Sequence, residues 1–172
     1  MKRKLPTWRY IYGRNNGSGC YDERELVISK KIITTSSIET KDFAKKLAKK
    51  TPVGTIVALI GDLGSGKTTF AQGFAEGLDI FETVVSPTFK LVSEYDGGKF
   101  KLIHVDTYRL DTIEEFLNIC GEDIIRTPGA IILIEWADKI IDILPPDTVQ
   151  INFQRISKIA DERELTIKAL SE

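Results

Sequence analysis

The hydrophobic positions of the chain fall into two kinds of run. TIVALIG (55–61) and AIILIEW (130–136) are unbroken and rich in β-branched and aliphatic residues. That pattern predicts strands covered on both faces, as at the centre of an α/β sheet. Elsewhere the apolar positions are periodic. Phe43, Ala44, Leu47 and Ala48 recur at helical spacing in a segment opened by Ser36, with Glu39 three residues later. Such a capping box with an apolar stripe predicts a helix from Ser36 to roughly Lys50, stopped by Thr51-Pro52. A second helix is expected from roughly Lys67 to Gly77, and a short one from Thr112 to about Ile119. KIITTS (31–36) reads as a strand. KLVSEY and KLIHVD flank Asp96-Gly97-Gly98 and predict two antiparallel strands on a tight glycine turn. ADKIIDIL is expected to be a helix ending at Pro145-Pro146. TVQINFQRI and RELTIKAL alternate and predict a closing hairpin.

This order of elements predicts an α/β sandwich with a mixed sheet, parallel at its centre. No repeats or second domain stand out. The expected division is one domain over 31–172 and a basic N-terminal extension over 1–30. Residues 1–31 carry eight Lys/Arg against three acids, although the whole chain balances 24 basic against 25 acidic residues, a net charge of −1. Nothing global therefore draws the protein to nucleic acid or an anionic membrane. With its Asn15-Asn16-Gly17-Ser18-Gly19 stretch, the extension is expected to be weakly ordered; the competing reading is an arm that touches RNA or a partner. Two cysteines, Cys20 and Cys120, and one histidine, His104, argue against a zinc site or a disulfide framework. No apolar run reaches the roughly 18–20 residues of a membrane span, and the start lacks the apolar segment of a secretory signal. A cytoplasmic setting is expected.

Gly61-Asp62-Leu63-Gly64-Ser65-Gly66-Lys67-Thr68 fits G-x-x-x-x-G-K-[ST] at every fixed position, between a buried-strand run and a helical pattern. Its glycines allow successive N–H groups to turn toward phosphate oxygens, and the following helix adds its unpaired first-turn N–H groups. Lys67 has the reach for β- and γ-phosphates, and Thr68 carries a hydroxyl suited to Mg²⁺. The candidate nucleotide-binding residues are Asp62, Leu63, Gly64, Ser65, Gly66, Lys67, Thr68 and Thr69. A P-loop NTPase-like three-layer sandwich follows, but the loop alone does not choose a reaction.

The choice rests on groups elsewhere. Asp106 ends KLIHV and Glu135 ends AIILI, at strand ends where open α/β sheets bind ligands. Either acid can serve Mg²⁺ or orient an attacking water. In SPTF (86–89), Ser86 and Thr88 offer hydroxyls to a γ-phosphate or metal, and Pro87 stiffens the segment. Arg109 is expected to neutralise phosphate charge or to pair with an acid. His104 shares a sheet face with Asp106 and reads first as a hydrogen-bonded structural residue. Trp136 is expected near the nucleotide or over the core.

GDLGSGKTTF, SPTF, HVDTYRL and IEW followed by LPP, in this order and spacing, make residues 32–170 resemble the bacterial TsaE (YjeE-like) family. The resemblance implies a P-loop ATPase, slow alone and stimulated by a partner, required for N6-threonylcarbamoyladenosine modification of tRNA. It implies ATP and Mg²⁺, a TsaB–TsaD type complex as partner, and contact with tRNA only through that complex. Carried over by motif, Lys67 and Asp106 are the catalytic residues, Thr68 and Glu135 serve the metal, and Thr88 belongs to a switch-like segment. The adenine is implied near the start of the first helix, around Ser37. The chain departs from the family over 116–125, where the usual L-x-x-x-G-[IL]-x-[DE]-[YF] spacing is shifted and the aromatic is missing. A small-molecule kinase and a nucleotide-gated binding module are the competing functions. The first suits the Asp-x-x-Arg after a strand but lacks an arginine-rich lid.

Overall fold

The structure of the protein, a computed structural model, describes residues 27–97, 101–156 and 161–170. Alternation along three neighbouring strands, β2 (Ile56–Ile60), β4 (Lys101–Asp106) and β5 (Ala130–Glu135), sorts their side chains into two cores. Val57, Leu59, Leu102, Ile131 and Leu133 point to one face. There they meet Ala44 and Ala48 of α1 (Ser37–Ala48) and Phe70 and Phe74 of α2 (Lys67–Gly77). Ala58, Ile103, Val105, Ile132 and Ile134 point to the other, against Phe116 of α3 (Ile113–Asn118) and Ile140 of a 3₁₀ helix (Ala137–Ile143). Every residue of β5 is buried, as its unbroken apolar run predicts.

The sheet is completed by β1 (Val27–Thr34), β3 (Val92–Asp96), β6 (Val149–Arg155) and β7 (Arg163–Leu170), in the order β1-β7-β6-β2-β5-β4-β3. β6, β2, β5 and β4 run parallel, and β7, β1 and β3 run antiparallel to their neighbours. This is the three-layer sandwich with a mixed sheet and a parallel centre expected from the sequence.

Helix α1 lies directly on α2. A Cβ on Gly73 would come within 2.4 Å of the Lys41 carbonyl oxygen, and one on Gly77 within 2.5 Å of that of Lys45. The two helices therefore run parallel with their backbones nearly touching, and side chains there would force them apart. Ser36 caps α1, its hydroxyl accepting from the Glu39 N–H at 3.1 Å. Glu39 reaches back to the N–H of Thr35, one residue before the expected partner.

The structure departs from the expected elements in four places. β1 begins at Val27, inside the segment read as an extension, because it pairs along its whole length with β7. α1 ends at Ala48. ADKIIDIL forms a 3₁₀ helix, entered through Trp136 at φ 59°. A second short helix, α4 (Gly121–Ile125), follows α3 through Cys120 at φ 61°. Residues 1–26 of the extension, and the glycine turn from Gly98 onward, lie outside the described residues. Among the described residues, no helix is long and apolar enough to cross a membrane.

Candidate functional site

The loop between β2 and α2 is shaped by backbone that only glycine adopts readily. Gly61 has φ 145° and Gly66, which precedes the first turn of α2, has φ 109°. A Cβ on Gly61 would lie 2.5 Å from the Phe153 carbonyl oxygen of β6. The turn is closed by the Ser65 N–H donating to the Asp62 carbonyl at 3.1 Å. Lys67 folds back into the loop, its Nζ donating to the carbonyls of Gly61 (2.5 Å) and Asp62 (2.9 Å). The ammonium also lies 3.8 Å from the centre of the Trp136 ring. Burial lowers the Lys67 pKa, and the charges of Glu135, Asp106, Asp138 and Asp62 oppose that shift.

Two carboxylates face the loop. Asp106 and Glu135 are register partners on the parallel strands β4 and β5. They alternate with Val105 and Ile134, so both point to the α2 face. Glu135 Oε2 accepts from the Thr68 hydroxyl at 3.0 Å, and Oε1 lies 3.0 Å from His104 Nε2. His104 is wholly buried. A neutral imidazole protonated at Nε2 would donate to the carboxylate and leave Nδ1 as the unpartnered buried atom. Asp106 is held differently. Its Oδ2 accepts from the hydroxyls of Ser86 and Thr88, the latter at 2.7 Å, and its Oδ1 accepts from the Tyr108 N–H at 2.9 Å.

Thus Lys67 on the loop carbonyls, the Thr68–Glu135 pair and the Thr88–Asp106 pair stand together beside the loop, the two acids being register partners. Asp62, Leu63 and Gly64 make its exposed tip, Ser65 is buried and Thr69 half-buried. Ser37 is exposed and bonded to none of these groups by the contacts described. Since Gly73 meets Lys41 and Gly77 meets Lys45, the same register sets Ser37 level with Thr69 at the site end of α2. The Arg109 guanidinium lies 4.1 Å from the Phe89 ring centre. Trp136 lies against Lys67 and against Tyr108, with ring centres 4.9 Å apart in the second pair.

Sequence reasoning missed four supporting residues. The Thr107 hydroxyl donates to the carbonyls of Glu135 and Trp136, at 3.1 and 2.7 Å, and fixes the strand end that carries Glu135. Lys139 Nζ donates to the carbonyls of Tyr108 (2.5 Å) and Leu110 (2.7 Å). Arg155 and Arg163 donate to carbonyls of the loop itself. Thr107 lies within HVDTYRL, but no local signal marks its role or those of the other three, since each acts through an element distant in sequence.

The donor set suits a triphosphate with a hard cation. Thr68 and Glu135 present oxygen atoms, which Mg²⁺ prefers, and Lys67 presents a cation to phosphate oxygens. The described residues contain no group of three or more His, Cys, Asp or Glu side chains able to cage a metal. A Mg²⁺ bound through one or two protein oxygens, water and phosphate needs no such cage. The buried Ser65 hydroxyl, which has no hydrogen-bond partner, adds a free polar group at the loop.

The sheet order, the loop on β2 and the helix behind it define an α/β protein of the P-loop fold. Within that class, the model of "Threonylcarbamoyl adenosine biosynthesis protein TsaE" matches residues 34–165, and the chain belongs to the TsaE family. It is 42% identical over 137 residues to the tRNA threonylcarbamoyladenosine biosynthesis protein TsaE of Bacillus subtilis, covering 80% of this chain and 84% of the relative. It is 33% identical over 137 residues to the protein of the same name from Treponema pallidum, covering 80% and 98%. A crystal structure of Bacillus subtilis YdiB superposes with a TM-score of 0.69 at 37% identity, covering 85% of this chain and 88% of that one.

Proposed function

We propose that the chain is the ATP-binding and ATP-hydrolysing subunit required for N6-threonylcarbamoyladenosine modification of tRNA, acting with a TsaB–TsaD type complex. The modification is the one named for the relatives. The observation that carries the ATPase part is the pairing of Thr68 with Glu135 at 3.0 Å, with Asp106 as the register neighbour of Glu135. A structural turn would need no hydroxyl–carboxylate pair here, nor a second acid next to it.

In this reading the loop N–H groups and Lys67 hold the phosphates. Phosphate oxygens would compete for the Lys67 ammonium, which is now spent on two carbonyls and a ring. Thr68 and Glu135 would hold Mg²⁺, which would supply charge neutralisation to the phosphates. Asp106 orients water and accepts its proton. His104 keeps one oxygen of Glu135 turned inward, leaving the other for Thr68.

Measuring phosphate release from MgATP, alone and with a TsaB–TsaD type complex, tests the proposal. Slow turnover alone, faster turnover with the complex, and loss of both in Lys67→Ala are expected. Turnover in Lys67→Ala equal to the parent would overturn the site. Phosphorylated small-molecule product in place of free phosphate would mark a kinase.

A further inference from the structure

The hairpin of β6 and β7 ends in a pair of arginines that the ATPase chemistry does not use. Arg155 and Arg163 are register partners across the hairpin. Each reaches the phosphate loop, and they take consecutive carbonyls. Arg155 Nη2 donates to the Gly64 carbonyl at 2.8 Å, with Nε at 3.3 Å from the same oxygen. Arg163 Nε donates to the Ser65 carbonyl at 3.0 Å. A Cβ on Gly64 would come within 2.6 Å of Arg155 Nη2, so the guanidinium rests on a bare α-carbon. A Cβ on Gly66 would lie 3.8 Å from Arg163 Nε.

We infer that Arg163, supported by Arg155, is a positioning residue that presets the phosphate loop for its anion. The inference rests on the nucleotide reading above. In a trans peptide the C=O and the next N–H point in opposite directions. Holding the Ser65 carbonyl toward Arg163 therefore turns the Gly66 N–H away from the hairpin. Holding the Gly64 carbonyl fixes the plane whose N–H, that of Ser65, closes the turn onto Asp62. Gly64 at φ 69° and Gly66 at φ 109° would otherwise sample many orientations, because glycine is the least restricted residue. A charged donor on each of two successive carbonyls removes that freedom before a phosphate arrives, and preorganisation of this kind appears as affinity. The two cations also stand behind the loop, where they raise its potential for an anion.

The test compares wild type with Arg163→Gln, Arg163→Lys and the double variant Arg155→Gln/Arg163→Gln. MgATP binding is read by calorimetry, melting temperature without nucleotide by scanning calorimetry, and the Gly66 amide by NMR. Arg163→Gln is expected to weaken MgATP binding about tenfold, the scale of one lost charged hydrogen bond, and the double variant more. Arg163→Lys should recover only part, since it keeps the charge but not the planar fork. The Gly66 amide resonance should move in the nucleotide-free protein, while the melting temperature changes little. Binding within twofold of wild type in the double variant overturns the inference. So does a loss that appears only where the fold itself melts early. If the wild type takes up no MgATP, the nucleotide reading falls, and the Gly66 amide still decides the positioning: displaced by Arg163→Gln it supports the inference, unmoved it overturns it.

Discussion

Glu135 and Asp106 are the same kind of group at the same level of adjacent strands, yet they are held by different classes of partner. Glu135 is fixed by a buried strand residue, His104, and by Thr68 in the first turn of α2. Both partners belong to elements packed into the core, so its position is set by the fold. Asp106 is fixed by the Tyr108 N–H just beyond its own strand and by Ser86 and Thr88, which lie between α2 and β3 in a segment without regular structure. Phe89, next to those hydroxyls, is 83% exposed. A group tied to core elements suits a role that must not change during turnover. A group tied to a surface segment suits one that is engaged and released, because surface segments open at lower cost than cores.

The largest effect should come from the second acid. Asp106→Asn keeps the shape and most of the hydrogen bonds but removes the proton acceptor. If Asp106 handles the attacking water, phosphate release falls by about 10²–10⁴-fold, while MgATP affinity stays within a fewfold. A variant that hydrolyses normally would make Asp106 a structural anchor for the 86–89 segment and erase the contrast with Glu135.

Glu135→Gln comes next. Its signature differs: apparent Mg²⁺ affinity should drop on the order of 10–100-fold, measured as the Mg²⁺ concentration that half-saturates turnover. Saturating Mg²⁺ should then restore part of the rate, as it should not for Asp106→Asn. Equal behaviour of the two variants would mean that the acids share one task.

Both acids were legible from the sequence because each ends a strand whose pattern is plain, and alternation alone aims them to one face. What holds them was less legible. Thr68 and Thr88 lie in recognisable stretches, but His104 gained its role only when β4 and β5 became neighbours. Arg155 and Arg163 look like ordinary ends of a surface hairpin; only the placement of β6 beside β2 brings them onto the loop. α4 was missed for a related reason. It is a five-residue helix entered through a left-handed Cys120, and a Cβ on Gly121 would sit 2.4 Å from Phe116, so that turn is set by packing against a side chain from α3. The 3₁₀ form of 137–143 likewise follows from Trp136 at φ 59°, a conformation that the hydroxyl of Thr107 stabilises from just beyond the end of β4. Local pattern carries the elements and the loop; long-range pairing decides the rest.

A smaller effect separates the segment from the acid it holds. Ser86→Ala combined with Thr88→Val removes two neutral donors from Asp106 without touching its charge. Each such bond contributes about 1 kcal/mol, so losing both should change turnover by up to about 30-fold and nucleotide affinity less. Hydrogen exchange over 82–91 should quicken, with exchange in β5 unchanged. Faster exchange in β5 as well would show that the two acids are not independently held.

The smallest effect is on stability: it comes from Lys67 and has the opposite sign to that residue's effect on function. Burial lowers its pKa, so the nucleotide-free protein carries a protonated lysine at a cost in folding free energy. The unfolded chain keeps its proton up to about 10.5. Between the folded and unfolded values the unfolded state binds more protons, so stability contributed by this residue rises with pH across that interval. Lys67→Met removes the charge and keeps much of the stem. At pH 7 the variant should melt at or slightly above the parent, by up to about 2–4 °C, and the gap should close as pH approaches 10.5. MgATP binding should be lost over the whole range. A variant that melts lower than the parent at pH 7, with the gap narrowing in alkali, would mean that the bonds to Gly61 and Asp62 outweigh the desolvation. The loop would then be held shut by Lys67 as well as propped from behind by the arginines, and phosphate binding would have to break that hold first.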